Sequence, residues 1–110
     1  MEWINLESVE QLKAVDELSQ SQPVVLFKHS TRCSVSAMAL DRMERGGDIL
    51  AGVNCYFLDL IAHRDVSQAI ADHYGVQHES PQVIVVRNGK AVWHDSHMAI
   101  TPRAVSQMLA

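Results

Sequence analysis

The sequence has little of what several large protein classes require. Its 110 residues include only two cysteines, too few for the disulfide framework of small secreted domains. Nine lysines and arginines stand against 13 acidic residues, giving a net charge of −4 with no basic run. No apolar stretch approaches 18 residues, and the first residues lack the apolar centre of a signal peptide. We therefore expect a cytoplasmic protein that binds neither nucleic acid nor membrane.

What is present is the composition of an ordinary globular domain. Apolar residues make up 47% of the chain and charged residues 20%. A chain of this length buries about two-thirds of its unfolded surface, so it folds without disulfides or metals. Because the sequence contains no internal repeat, low-complexity segment or linker, we predict one domain over residues 1–110.

Hydrophobic periodicity predicts eight elements in the order αβαβαββα. Helices are predicted over 8–20, 34–45 and 66–74 and after Thr101-Pro102, and strands over 24–27, 55–61, 83–86 and 91–93. Asn88-Gly89 indicates a type I′ hairpin between the last two strands. A right-handed parallel βαβ unit followed by that hairpin gives a four-stranded mixed sheet with helices on both faces. This α/β order resembles a thioredoxin-like fold.

The stretch "HSTRCSVS" places Cys33 where the first predicted strand meets the next helix. Unpaired amides and the helix dipole favour a negative charge at such a position, and the guanidinium of Arg32 adds to that effect. Ser36 stands three residues later, where a Cys-x-x-Cys motif has its second cysteine. Its hydroxyl or amide could bind the sulfur, but it cannot form a disulfide. The alternative is that Cys33 is only a small buried apolar residue.

Proline at position 81 comes directly before the third predicted strand. A proline cannot donate to a central ladder, so it belongs at the first position of the strand. The resemblance of the element order to a thioredoxin-like fold implies a cis Ser80–Pro81 bond, because such folds have a cis-proline at this point, against the reactive cysteine. A cis bond would leave the preceding backbone free to pair with an incoming peptide. An ordinary trans proline is the alternative, since only about 5% of X-Pro bonds are cis.

The second cysteine, Cys55, begins a strand that runs parallel to the one leading to Cys33. The two sulfurs therefore lie near opposite ends of the sheet, farther apart than the ~7 Å between Cα atoms that a disulfide allows. We predict that Cys55 is a buried core residue.

Histidine spacing does not predict a metal site. No acidic cluster accompanies any His/Cys pair, so we expect His29, His78, His94 and His97 at the surface or rim. Lys28 and Arg32 are either solvated rim charges or attract an anionic thiol substrate.

Three segments together, "FKHSTRCSVS", "YGVQHESPQVIVVRNGK" and "WHDSHMAIT", resemble the small monothiol bacilliredoxins of YtxJ-like type. That family has a thioredoxin-like fold, and its motif is usually Thr-Cys-Pro-Ile-Ser. The resemblance implies that Cys33 is the nucleophile, that Ser36 occupies the resolving position and that Pro81 is the cis-proline near the thiol. The sequence departs from the family at Arg32 and Ser34, where the family often has threonine and proline.

The resemblance implies removal of bacillithiol from mixed disulfides on cytosolic proteins, with this small thiol as co-substrate and no tightly bound cofactor. The substrate would be oriented by the Ser34 and Val35 amides and by the backbone at Ser80, while Arg32 and Lys28 would hold its carboxylates. Two other functions stay open. One is an iron–sulfur cluster carrier that uses Cys33 and a small thiol as ligands, and the other is a stress-linked binding domain without activity.

Overall fold

The computed structural model describes all 110 residues. Its helices are α1 (Gln11–Ser19), α2 (Ser34–Arg45), α3 (Arg64–Tyr74) and α4 (Pro102–Gln107), and its strands are β1 (Trp3–Asn5), β2 (Val24–His29), β3 (Asn54–Asp59), β4 (Gln82–Arg87) and β5 (Lys90–Ser96). Short 3₁₀ segments cover Gly47–Leu50 and His97–Ala99. No helix combines the length and the apolar character that crossing a bilayer requires.

All five strands form one mixed sheet in the order β1-β3-β2-β4-β5. The first three strands in that order are parallel, and β4 and β5 join as an antiparallel hairpin. Because β2 and β3 are parallel neighbours, the loops that follow them emerge at the same edge of the sheet. The loop after β2 leads to Cys33, so the topology puts this cysteine at the carboxyl edge.

The prediction of four strands is wrong by one, because β1 was not expected. This strand has only three residues, two of them exposed, so it lacks the alternation or apolar run that marks a strand. It exists because its backbone pairs with β3, with Trp3 beside Cys55. The first helix is also shorter than predicted, since it begins at Gln11 rather than at residue 8.

Two apolar cores lie on opposite faces of the sheet. One contains Leu26, Leu58 and Ile84 with α1 and α3 residues, and the other contains Phe27 and Val83 with α2 and α4 residues. Every residue of β2 is buried, as predicted for a strand covered on both faces. The alternation along β2 sends Lys28 to the α1/α3 face and His29 to the α2/α4 face.

Local turn and cap signals are confirmed. Asn88 and Gly89 have φ values of 55° and 74°, as the two central residues of a type I′ turn require. The hydroxyl of Thr101 accepts a 3.1 Å hydrogen bond from the Ala104 amide and Pro102 opens α4. The Asn88-Gly89 turn therefore precedes β5, and the Thr101-Pro102 cap starts the helix that follows it.

Candidate active site

Cys33 is the N-cap residue of α2 and is partly exposed. Its backbone is extended, its amide donates to Ser30 O at 3.3 Å, and its carbonyl accepts the first helical bond from Ala37 at 3.0 Å. No side chain caps the helix, so the amides of its first turn remain available to a ligand. Together with the helix dipole they favour an anion beside the Cys33 sulfur.

The hydroxyl of Ser36 points to the end of β2. Ser36 is completely buried, and its Oγ accepts a 3.0 Å hydrogen bond from the Ser30 amide and lies 2.7 Å from His29 Nδ1. The expected hydrogen bond between this hydroxyl and the Cys33 sulfur is therefore not formed. The neighbours of the hydroxyl are the His29 ring and the Ser30 amide, and both lie at the end of β2.

Burial makes His29 a neutral partner for Ser36. Only 7% of the residue is exposed, and desolvation lowers its pKa, although Asp59 on the neighbouring strand opposes the shift. The Ser36 hydroxyl accepts from the Ser30 amide, and the tautomer of the His29 ring sets which partner donates in the contact with Nδ1. The rim position predicted for His29 is wrong, because this residue is buried and continues the inward face that Val25 and Phe27 begin. That alternation was the signal in the sequence.

The Ser80–Pro81 bond is cis, as predicted. Pro81 is buried, and its carbonyl accepts a 3.0 Å hydrogen bond from the His97 amide. Lys28 pairs with Gln82 in an antiparallel ladder, so Pro81 lies across from the end of β2. The buried Oγ of Ser80, beside the cis bond, has no hydrogen-bond partner.

The other predicted site residues separate into two groups. Arg32 and Ser34 are exposed and Val35 is partly exposed, on both sides of Cys33. Lys28 is fully buried, and its Nζ bonds Ser67 O at 3.0 Å on the α3 face. The rim position predicted for Lys28 is wrong, because the alternation along β2 turns this residue to the face opposite α2, where it is buried.

Cys55 is only 1% exposed, so the prediction of a core cysteine is confirmed. It pairs with Val25, at the end of the sheet away from Cys33. Burial raises the pKa of its thiol to about 11. His94 and His97 are exposed as expected, and no group of three or more His, Cys, Asp or Glu side chains is arranged to hold a metal ion.

Comparison with solved structures supports the fold. The chain is similar to a candidate oxidoreductase with a thioredoxin fold, at 34% identity and a TM-score of 0.82, over 94% of this chain and 90% of the other. Two thioredoxins are similar to this chain in fold, at sequence identities below 20%. The one from Trypanosoma brucei brucei has 18% identity, a TM-score of 0.75 and coverage of 98% and 88%, and the one from Fasciola hepatica has 14%, 0.72 and coverage of 96% and 94%.

A family comparison covers nearly the whole chain. The family described as monothiol bacilliredoxin BrxC matches residues 4–105, a range that includes Cys33, Ser36 and Pro81. A thioredoxin-fold oxidoreductase family supports a role in thiol redox chemistry, in agreement with a partly exposed cysteine at a helix N-terminus. With 102 of 110 residues inside the match, the chain belongs to the monothiol bacilliredoxin family.

Proposed function

We propose that this protein is a monothiol thiol–disulfide oxidoreductase that removes bacillithiol from mixed disulfides on cytosolic proteins. The observation that carries the proposal is the unequal environment of the two thiols. Cys33 is partly exposed at the start of α2, whereas Cys55 is buried at the far end of the sheet. A single accessible thiol can exchange with a mixed disulfide but cannot close an internal one.

The first step is an exchange at the sulfur of the small thiol. The Cys33 thiolate attacks that sulfur, a new S–S bond joins it to Cys33, and the bond to the substrate protein breaks. The protein sulfur leaves as a thiolate and takes a proton from solvent. The positive end of α2 and the exposed guanidinium of Arg32 support the reacting anion.

The second step restores the enzyme without a second cysteine. Another molecule of the small thiol attacks the bacillithiol sulfur bound to Cys33, forms the small-thiol disulfide and releases the Cys33 thiolate. In the sum of both steps, one free small thiol reduces the mixed disulfide, which yields the protein thiol and the small-thiol disulfide. A separate reductase must then reduce that disulfide.

The surroundings of Cys33 supply substrate contacts. Unpaired amides of Ser34 and Val35 are hydrogen-bond donors for a carboxylate or carbonyl of the small thiol. The backbone at Ser80, before the cis Pro81, pairs with the substrate polypeptide in this proposal. Arg32, which is exposed and precedes Cys33 in the chain, holds a carboxylate of the small thiol in this proposal, whereas Lys28 lies on the opposite face of the sheet.

The test is intact-mass analysis of the reduced protein after mixing with a bacillithiolated test protein. We expect one bacillithiol adduct on the wild-type chain, none on Cys33→Ser, and an unchanged yield on the matched Cys55→Ser variant. Lack of transfer to a Cys33 that iodoacetamide still alkylates would overturn the proposal. Visible absorbance after anaerobic iron–sulfur reconstitution would then indicate a cluster carrier.

A further inference from the structure

A buried cation lies on the face of the sheet opposite α2. Lys28 is fully buried, and its Nζ has two uncharged partners, Ser67 O at 3.0 Å and His78 Nδ1 at 3.3 Å. No carboxylate of the chain forms an ion pair with it. Desolvation lowers the pKa of Lys28 to about 8, so the ammonium group still carries its proton at pH 7. A buried charge without an opposite charge is costly for a fold.

The two partners of Lys28 line a small cleft. Its volume is about 190 Å³, and its walls are Leu60, Arg64, Ser67, Gln68 and His78. The cleft has room for several water molecules, each about 30 Å³, and hence for a small anion. None of its lining residues is acidic, whereas two are basic and Lys28 stands behind them.

Nearby carboxylates are directed elsewhere. Glu79 lies 3.5 Å from His97, and Asp59 Oδ1 accepts bonds from the Ile61 and Ala62 amides. Asp65 is exposed and is absent from the cleft walls. No carboxylate lines the cleft, and its positive charge comes from Arg64 and from Lys28 behind the wall, although Glu79 is close enough to oppose the lowering of the His78 pKa.

The polar groups of the cleft are donors in an arrangement suited to an anion. Arg64 is the first residue of α3, and no side chain caps that helix, so amides of its first turn are unpaired. His78 accepts from Lys28 at Nδ1, and burial together with the charge of Lys28 lowers the pKa of His78. The neutral ring then carries its proton on Nε2, which is a donor.

We propose that this cleft binds the phosphate or carboxylate group of a small molecule, with Arg64 as the direct charged donor and the Lys28–His78 pair behind it. The cleft lies at the carboxyl edge of the sheet, where α/β folds bind ligands. This site is separate from Cys33, which starts a helix on the other face. It therefore does not depend on the thiol-exchange function.

The test is an NMR titration of the reduced full chain with inorganic phosphate and, separately, with succinate, at constant ionic strength set with sodium chloride. We expect saturable shifts of the Arg64–Ser67 and His78 amides. Saturation by phosphate alone identifies a phosphate ligand, by succinate alone a carboxylate ligand, and by both a general small-anion site. Absence of saturable shifts with either, or shifts confined to Ser34–Ser36, would overturn the proposal.

Variants locate the binding groups. Arg64 and Arg103 are both exposed, so either can be changed without disturbing a core. We expect Arg64→Gln to weaken anion binding at least tenfold, because it removes a charge-assisted donor, and the matched Arg103→Gln to leave it unchanged. Equal weakening by both would mean attraction by net charge only and would also overturn the proposal. Lys28→Met, checked for folding by its amide spectrum, should lose saturable binding. If that variant fails to fold, Arg64→Gln decides.

Discussion

The hydroxyl oxygen of Ser36 lies 2.7 Å from Nδ1 of His29 and joins the first turn of α2 to the last residue of β2. The Ser30 amide donates to the same oxygen at 3.0 Å. Ser36 therefore contacts both His29 and Ser30, and these contacts connect the two ends of the loop that carries Cys33. A serine at the resolving position thus has a structural role. It fixes the start of α2, whose amides and dipole act on the thiol.

The first prediction concerns the energetic coupling of this pair. Ser36→Ala and His29→Gln should each reduce the free energy of unfolding by about 1–2 kcal/mol, because each leaves a buried polar group without its partner. The double variant should lose less than the sum, with a coupling of about 0.5 kcal/mol or more. Urea denaturation measures all three. Ser34→Ala, at an exposed position, is the control, and additive losses would contradict the coupling.

The second prediction is an acid-side loss of stability that depends on His29. Burial lowers its pKa below the usual 6.5, so the unfolded chain binds more protons as the pH falls below 6.5. The stability contribution is therefore complete above about pH 6.5 and decreases as the pH falls toward the folded-state value. Denaturant midpoints from pH 7 to pH 5 should fall less in His29→Gln than in the wild type. The exposed His94→Gln should follow the wild type, and parallel curves for His29→Gln would contradict the assignment.

The third prediction is that Lys28 makes the unfolding free energy increase with pH on the alkaline side, the same direction of change as for His29. Burial lowers the pKa of Lys28 from 10.5 to about 8, so above pH 8 the folded protein releases a proton that the unfolded chain keeps. Unfolding free energy should therefore rise between pH 8 and pH 9 relative to Lys28→Met. Above pH 9 the raised pKa of Cys55 acts in the opposite direction. Urea denaturation of the wild type and of Lys28→Met between pH 8 and pH 9 measures this difference. An equal change of unfolding free energy with pH in both proteins would refute the prediction.

The fourth prediction distinguishes the two thiols. Cys55 is buried and its pKa is raised to about 11, so almost none of it is thiolate at pH 8. Iodoacetamide at that pH should add one group to the native protein and none to Cys33→Ser. In urea, where Cys55 is exposed, iodoacetamide should add two groups to the wild type and one group to Cys33→Ser. Rapid double modification of the native wild type would show that Cys55 is accessible.

The fifth prediction converts the one-thiol cycle into a two-thiol cycle. Ser36→Cys places a second sulfur three residues after Cys33, the spacing of redox-active Cys-x-x-Cys motifs. After oxidation by a small-thiol disulfide, this variant should end as an internal disulfide, with a monomer mass two hydrogens lower than the reduced form. Wild type and Ser36→Ala should instead keep the small-thiol adduct on Cys33. A persistent adduct on Ser36→Cys would contradict the prediction.

Features of the site that follow from local geometry were predictable. The junction position of Cys33 follows from a short apolar run followed by helical spacing. The cis bond at Pro81 was expected from the resemblance of the element order to a thioredoxin-like fold. Contacts of Lys28 and His29 were not predictable. Both are polar residues near the end of a strand, and their burial depends on which helices cover the two faces.

The sequence by itself determined the order of the elements, the hairpin at Asn88-Gly89, the capped start of α4 and a single cysteine at the head of a helix. Backbone conformation and short-range spacing decide each of these, so neighbouring residues are sufficient. Only the tertiary structure decided that three residues at Trp3–Asn5 form a fifth strand, that Ser36 binds His29 and that Lys28 lies beneath a basic cleft. These features join segments 7 to 52 positions apart, and packing of the completed sheet, which local propensity does not encode, brings them together.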